Sequence, residues 1–211
     1  MFAAIGAAAE RLASVWPAEE ASRRPIGWRF LALGAVSAAS AAAIVWRSTL
    51  PMWATAVHLL LLALMVVLVA TDLEQRRLPH LALDPLIVAA VGFAVVNPAV
   101  APLDAAIGAV AAVGFLGVLA LLVRGGLAAG DLYLAAPIGL VLGWPLVFSG
   151  LFTAGLLAGG ASLVLLLTRR AQLRTYIPFG PFLVAGYVLT LVREPTVLSV
   201  AQQVAAAFFG R

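Results

Sequence analysis

Long apolar runs without charge, separated by short polar or arginine-bearing segments, occupy most of the chain. They fall at residues 30–46, 48–71, 85–103, 105–123, 132–168 and 175–192. Roughly 20 helical residues cross the hydrocarbon core of a bilayer, so each run predicts at least one membrane-spanning helix. The fifth run is too long for one crossing. Gly143-Trp144-Pro145 and Ser149-Gly150 place turn residues within it, which predicts two helices in a hairpin. Asn97-Pro98 and Pro102 end the third run early and leave a short loop up to Asp104. The pattern predicts an all-α, polytopic membrane bundle of about seven transmembrane helices.

Composition agrees. Of 211 residues, 64% are hydrophobic and only 10% charged, with a mean hydropathy of +1.10. A soluble domain is about half apolar and a quarter charged. The expected organisation is an amphipathic cytoplasmic segment at 1–24, a membrane domain at 25–194 and an interfacial tail at 195–211, which carries Gln202 and Gln203. Glu10, Glu19 and Glu20 interrupt the first segment, which lacks the apolar stretch of a cleaved signal. No inverted repeat of the transporter type is visible. Glycines such as Gly108, Gly114, Gly117, Gly155, Gly159 and Gly160 predict close helix packing.

All 13 basic residues are arginine, in runs of no more than two. That disfavours a nucleic-acid partner and suits arginines flanking membrane helices. With a cytoplasmic N-terminus and seven spans, Arg23, Arg24, Arg29, Arg76, Arg77, Arg124, Arg169, Arg170 and Arg174 fall inside, and Arg47 and Arg193 outside. This positive-inside bias predicts a multi-pass protein of the cytoplasmic (inner) membrane. It also puts Asp72 and Asp131 on one face, at opposite ends of an out-and-back helix pair, where they can meet.

Those aspartates carry the chemistry. Ionisable groups at membrane depth are costly and need a partner or a task. Two carboxyls within a few ångströms do not both ionise easily, so such a pair shares a proton. One then acts as general base on water while the other donates a proton to a scissile carbonyl. Gly125, Gly126 and Gly130 allow close backbone approach to Asp131, and Pro79 opens the loop after Asp72. An acidic cleft at the cytoplasmic face would attract positive charge. With no cysteine in the chain, disulfides, thiol catalysis and thiolate metal sites are excluded; no cofactor or metal is expected.

Three ordered segments resemble the type IV prepilin peptidase family. Thr71-Asp72-Leu73-Glu74-Gln75-Arg76-Arg77-Leu78-Pro79 is similar to its first aspartate motif, and Ala128-Ala129-Gly130-Asp131-Leu132 to its Gly-x-Gly-Asp segment. Tyr176-Ile177-Pro178-Phe179-Gly180-Pro181-Phe182 resembles its Ile-Pro-Phe-Gly-Pro-Phe segment, and Pro25-Ile26-Gly27-Trp28-Arg29-Phe30 the entry to its second helix. The resemblance covers about residues 25–190. It implies a membrane aspartic endopeptidase that removes basic leaders from prepilins or pseudopilins at the cytoplasmic face, with Asp72 and Asp131 catalytic. Glu74, Gly130, Pro178, Phe179 and Gly180 are the expected substrate-loop residues. The long members' four-cysteine site and their N-methyltransferase activity are not expected. Ala128 replaces the motif's first glycine, predicting a stiffer loop, and Tyr133 stands where lysine is common. Two alternatives remain: a catalytically inactive relative, and a small proton-coupled transporter using the aspartates as a relay. The oligomeric state is left open.

Bland roles are expected elsewhere. His58 reads as a hydrogen-bonded core residue. His80 and Asp84 read as a pair at a helix start rather than a metal site, Asp104 as a helix cap, and Arg76 and Arg77 as a solvated loop.

Overall fold

In the computed structural model the described residues are 1–13, 28–122, 127–169 and 178–194. The expected interfacial tail, Gly125 and Gly126, Tyr176 and Ile177, Pro25–Gly27, and Arg23, Arg24, Arg124, Arg170 and Arg174 lie outside the described residues. Among the described residues there are eight helices and no strand. A first helix, α1 (Phe2–Ala13), is followed by α2 (Trp28–Arg47), α3 (Met52–Gln75), α4 (His80–Val96), α5 (Pro102–Leu122), α6 (Ala129–Leu142), α7 (Leu146–Leu167) and α8 (Gly180–Arg193). Each apolar run has its helix, and the fifth divides at Gly143-Trp144-Pro145 into α6 and α7. By length and composition, α3, α5 and α7 are long and apolar enough to cross a membrane, and α2, α4, α6 and α8 supply shorter apolar helices. The fold is a polytopic helical membrane bundle.

α3 is the axis. It contributes Leu61, Leu62, Met65 and Leu68 to the core, where they meet Leu83 and Leu86 of α4, Leu134 and Ile138 of α6, and Leu183 and Tyr187 of α8. His58 is buried here, as expected of a core histidine. Its Nδ1 and the Tyr187 hydroxyl share a 2.9 Å hydrogen bond, and its ring meets Phe93 edge-on.

α1 turns its buried face, Gly6, Ala9 and Ala13, to the neighbouring helices. A Cβ on Gly6 would lie 2.6 Å from the Leu33 carbonyl oxygen of α2. The Gln75 amide at the end of α3 donates to the Ala13 carbonyl at the end of α1.

Glycine sets the separation of two further pairs. A Cβ on Gly108 of α5 would sit 2.5 Å from the Gly139 carbonyl oxygen of α6, and one on Gly139 equally close to that of Gly108. A Cβ on Gly186 of α8 would overlap the Gly150 carbonyl oxygen of α7. Such backbone contact replaces the side-chain interlocking of soluble bundles. Gly114, Gly155, Gly159 and Gly160 differ from expectation, for no atom lies within 4 Å of the added Cβ. Asp104 also differs: it is the third residue of α5, not its cap. A carboxylate in the first turn still faces the positive end of the helix, and the Asp104 carbonyl accepts the Trp144 amide at 2.9 Å.

Substitution at the two kinds of glycine separates them. Gly186→Leu forces α7 and α8 apart and lowers stability in detergent by roughly 1–3 kcal/mol, whereas Gly155→Leu leaves the thermal midpoint within about a degree. Equal midpoints for the two variants would contradict the α7–α8 contact.

Candidate active site

Asp72 lies in the last turn of α3 and Asp131 in the first turn of α6. α3 runs toward this end of the bundle and α6 away from it, so the two carboxyls reach one place. Only 3% of Asp72 and 1% of Asp131 is exposed. Both line a single cleft of about 380 Å³ with Arg76, Leu78, His80 and Tyr133. The structure thus brings together the residues that topology predicts would meet.

Each carboxylate is held by a helix beginning. The Gly180 amide, first in α8, donates to Asp72 Oδ2 at 3.1 Å. Pro181 follows, a residue suited to a helix start because its missing N–H has no intrahelical role there. A Cβ on Gly180 would lie 2.7 Å from the same Asp72 oxygen, so only glycine admits this approach. The Ala128 amide, at the N-cap of α6, donates to Asp131 Oδ2 at 3.0 Å. This is one half of a capping box. Alanine has no side-chain acceptor for the reciprocal bond. Helix N-termini favour negative charge, so both carboxylates sit where unpaired amides replace lost water.

The remaining candidates divide. Gly130 lines the cleft and packs on Leu78, whose Cδ1 would be 3.0 Å from an added Cβ. Gly180 contacts Asp72. Glu74, Pro178 and Phe179 do not line the cleft; the Phe179 carbonyl instead accepts the Phe182 and Leu183 amides at the start of α8. Ala128 has φ −87° and ψ 154°, extended backbone open to any residue, so the expected stiffening of its loop carries no conformational cost.

Sequence reasoning gave no place in the cleft to the Ala128 amide, His80, Arg76 or Arg77. The Ala128 amide was foreshadowed by the N-cap-to-N3 spacing of Ala128 and Asp131. His80 and Tyr133 meet edge-on across the cleft wall with ring centroids 5.6 Å apart. Arg76 and Arg77, exposed as expected of a solvated loop, also line the cleft, which makes its wall mixed in charge and corrects the expectation of an acidic one. His80 is paired, as expected, with Asp84 at 3.1 Å. Among the described residues no group of three His, Cys, Asp or Glu is placed to hold a metal ion.

A helical membrane bundle with two buried carboxyls in one terminal cleft defines the class of protein. Residues 59–163 match the type IV leader peptidase family, and the chain belongs to that family. It is 28% identical over 142 residues to a prepilin leader peptidase/N-methyltransferase of Bacillus subtilis (strain 168), covering 65% of this chain and 56% of the relative. It is 34% identical over 149 residues to a protein of the same name from Aeromonas hydrophila, covering 67% and 51%. With that of Aeromonas salmonicida (strain A449) it shares 33% over 156 residues, covering 70% and 53%. The chain therefore spans about half the length of the curated relatives it matches. No solved structure matches it significantly.

Amide hydrogen exchange tests the two anchors separately. Asp72→Ala removes the acceptor and exposes the Gly180 amide, and its exchange accelerates by about tenfold or more. Asp131→Ala leaves that amide protected and frees the one at Ala128. The same response at both amides in both variants would contradict the pairing.

Proposed function

We propose that the protein is a membrane aspartic endopeptidase that cleaves leader peptides from prepilin-like or pseudopilin substrates, with Asp72 and Asp131 as its catalytic pair. The observation that carries this reading is the burial of both carboxyls in one cleft, each anchored through Oδ2 to a helix-start amide. The anchored Oδ2 atoms fix the two groups at the cleft. The family match and the names of the relatives supply the substrate class.

In the proposed reaction the ionised carboxyl takes a proton from water as that water attacks the scissile carbonyl carbon. The protonated carboxyl donates to the carbonyl oxygen, forming a tetrahedral gem-diol. Collapse breaks the C–N bond, and a proton passes to the leaving amine. The titration belongs to the pair and not to either aspartate.

Orientation follows from charge. At the aspartate end lie Arg11, Arg76, Arg77 and Arg169; Arg47 and Arg193 close helices at the other. By the positive-inside rule the aspartate end is cytoplasmic, where a leader awaiting removal would lie. Only the peptidase step is proposed; the relatives' second activity is not carried over. The substrate's apolar helix would rest in the bilayer with its leader in the cleft.

Membranes carrying the protein, incubated with a prepilin-like substrate, should release the leader. Asp72→Asn and Asp131→Asn should each lower the rate by about 100-fold or more, since each removes one half of acid–base exchange. No cleavage by the wild type of any prepilin-like substrate would sink the peptidase reading, and full activity of either variant would sink the pair. Ala128→Gly keeps the anchoring amide, so the rate should change by less than about threefold.

A further inference from the structure

α3 ends in an unusual way. Its C-cap, Arg76, has φ 54° and ψ 39°, and its amide donates to the Asp72 carbonyl at 2.9 Å. Left-handed backbone of this kind is the usual place for glycine, because an L side chain there crowds its own carbonyl. A strained conformation persists where its surroundings enforce it, and such sites gather at functional positions. Here the side chain so placed is a cation on the wall of the cleft that holds Asp72 and Asp131. The hydrogen bond from the Arg76 amide to the Asp72 carbonyl fixes the backbone from which the Arg76 side chain extends. Arg76 thus stands at a set place relative to the Asp72 carboxyl, with which it interacts electrostatically.

Among the described residues the other groups facing the pair are few. α6 contributes Asp131 itself and Tyr133. α4 contributes His80, already engaged by Asp84. α8 contributes only the Gly180 amide. Arg77 shares the turn and also lines the cleft. Two carboxyls at an apolar bundle end hold a negative charge more easily with a cation nearby, in addition to the amides that anchor them.

We propose that Arg76 is a positioning residue of the carboxylate pair, a cation set in place by left-handed backbone that keeps one of the two carboxyls ionised. Its consequence for the rate rests on the peptidase reading; its consequence for the protonation of Asp72 does not.

Three variants test this. Arg76→Gly removes the charge and relaxes the backbone, Arg76→Gln removes the charge alone, and Arg76→Lys keeps it. A hydrophobic carbodiimide labels protonated carboxyls, and mass spectrometry of the Asp72 peptide gives the pH midpoint of labelling in purified protein. Removing a nearby cation disfavours the carboxylate, so the midpoint should rise by about half a pH unit in the Gly and Gln variants. It should stay at the wild-type value in the Lys variant. The acid limb of the cleavage profile should move the same way. Arg76→Gly should also melt at or above the wild-type temperature.

Midpoints unchanged in both uncharged variants would overturn the proposal, as would an Arg76→Lys midpoint displaced as far as that of Arg76→Gln. A lower melting temperature for Arg76→Gly would overturn its backbone half. Should the wild type cleave nothing, the peptidase reading falls alone and the labelling midpoints still decide the role of Arg76.

Discussion

A carboxyl buried at the end of an apolar helix must find something to replace water, and here the replacement is the unpaired amide of another helix's first turn. The contact between Gly180 and Asp72 is the most constrained of these. It requires α8 to begin within hydrogen-bond distance of the last turn of α3, and it requires a residue without Cβ at that point. The Ala128–Asp131 bond serves the same need within a single helix start. Each bond satisfies a donor that a helix beginning would otherwise leave open. The two demands, an anion lacking water and an amide lacking an acceptor, cancel.

Meeting that condition places limits on packing far from the cleft. α8 is located by its backbone contact with α7 at Gly186 and Gly150, and α6 by its contact with α5 at Gly108 and Gly139. These crossings lie well along the helices, yet they fix the axes whose N-termini reach the carboxyls. Tyr187, fully buried and bonded to His58, ties α8 to α3 at mid-depth, one and a half to two turns beyond the Gly180 contact. The polar cleft is thus built on two apolar, glycine-lined contacts and one buried hydrogen bond. Their work is geometric, because lipid gives helices no hydrophobic reason to associate.

Much of this was legible in the chain. Length and polarity placed each helix, and the turn residues at Gly143-Trp144-Pro145 divided the longest run. Alternation of the spans alone brings Asp72 and Asp131 to one end. What could not be read was direction around each helix. α3 to α7 are apolar on nearly all sides, so no stripe marks an inner face. That is why the close-packed Gly108 and the open Gly155 look alike in sequence. Gly180 is a second case. Its motif points to a functional loop, but the residue it serves lies 108 positions earlier, and no local spacing reveals such a partner.

The family's first glycine in the Asp131 motif is alanine here, and the geometry explains why the difference is slight. Position 128 presents an amide, not a side chain, to the carboxylate, and its φ of −87° is available to any residue. Position 130 is the more tightly packed of the two, because a Cβ there would lie 3.0 Å from the end of the Leu78 side chain, which would have to give by a few tenths of an ångström. Of the two small residues before Asp131, the second bears the steric requirement and the first only an electrostatic one. A motif that looks weakened in letters still presents a donated hydrogen at 128 and a residue without Cβ at 130.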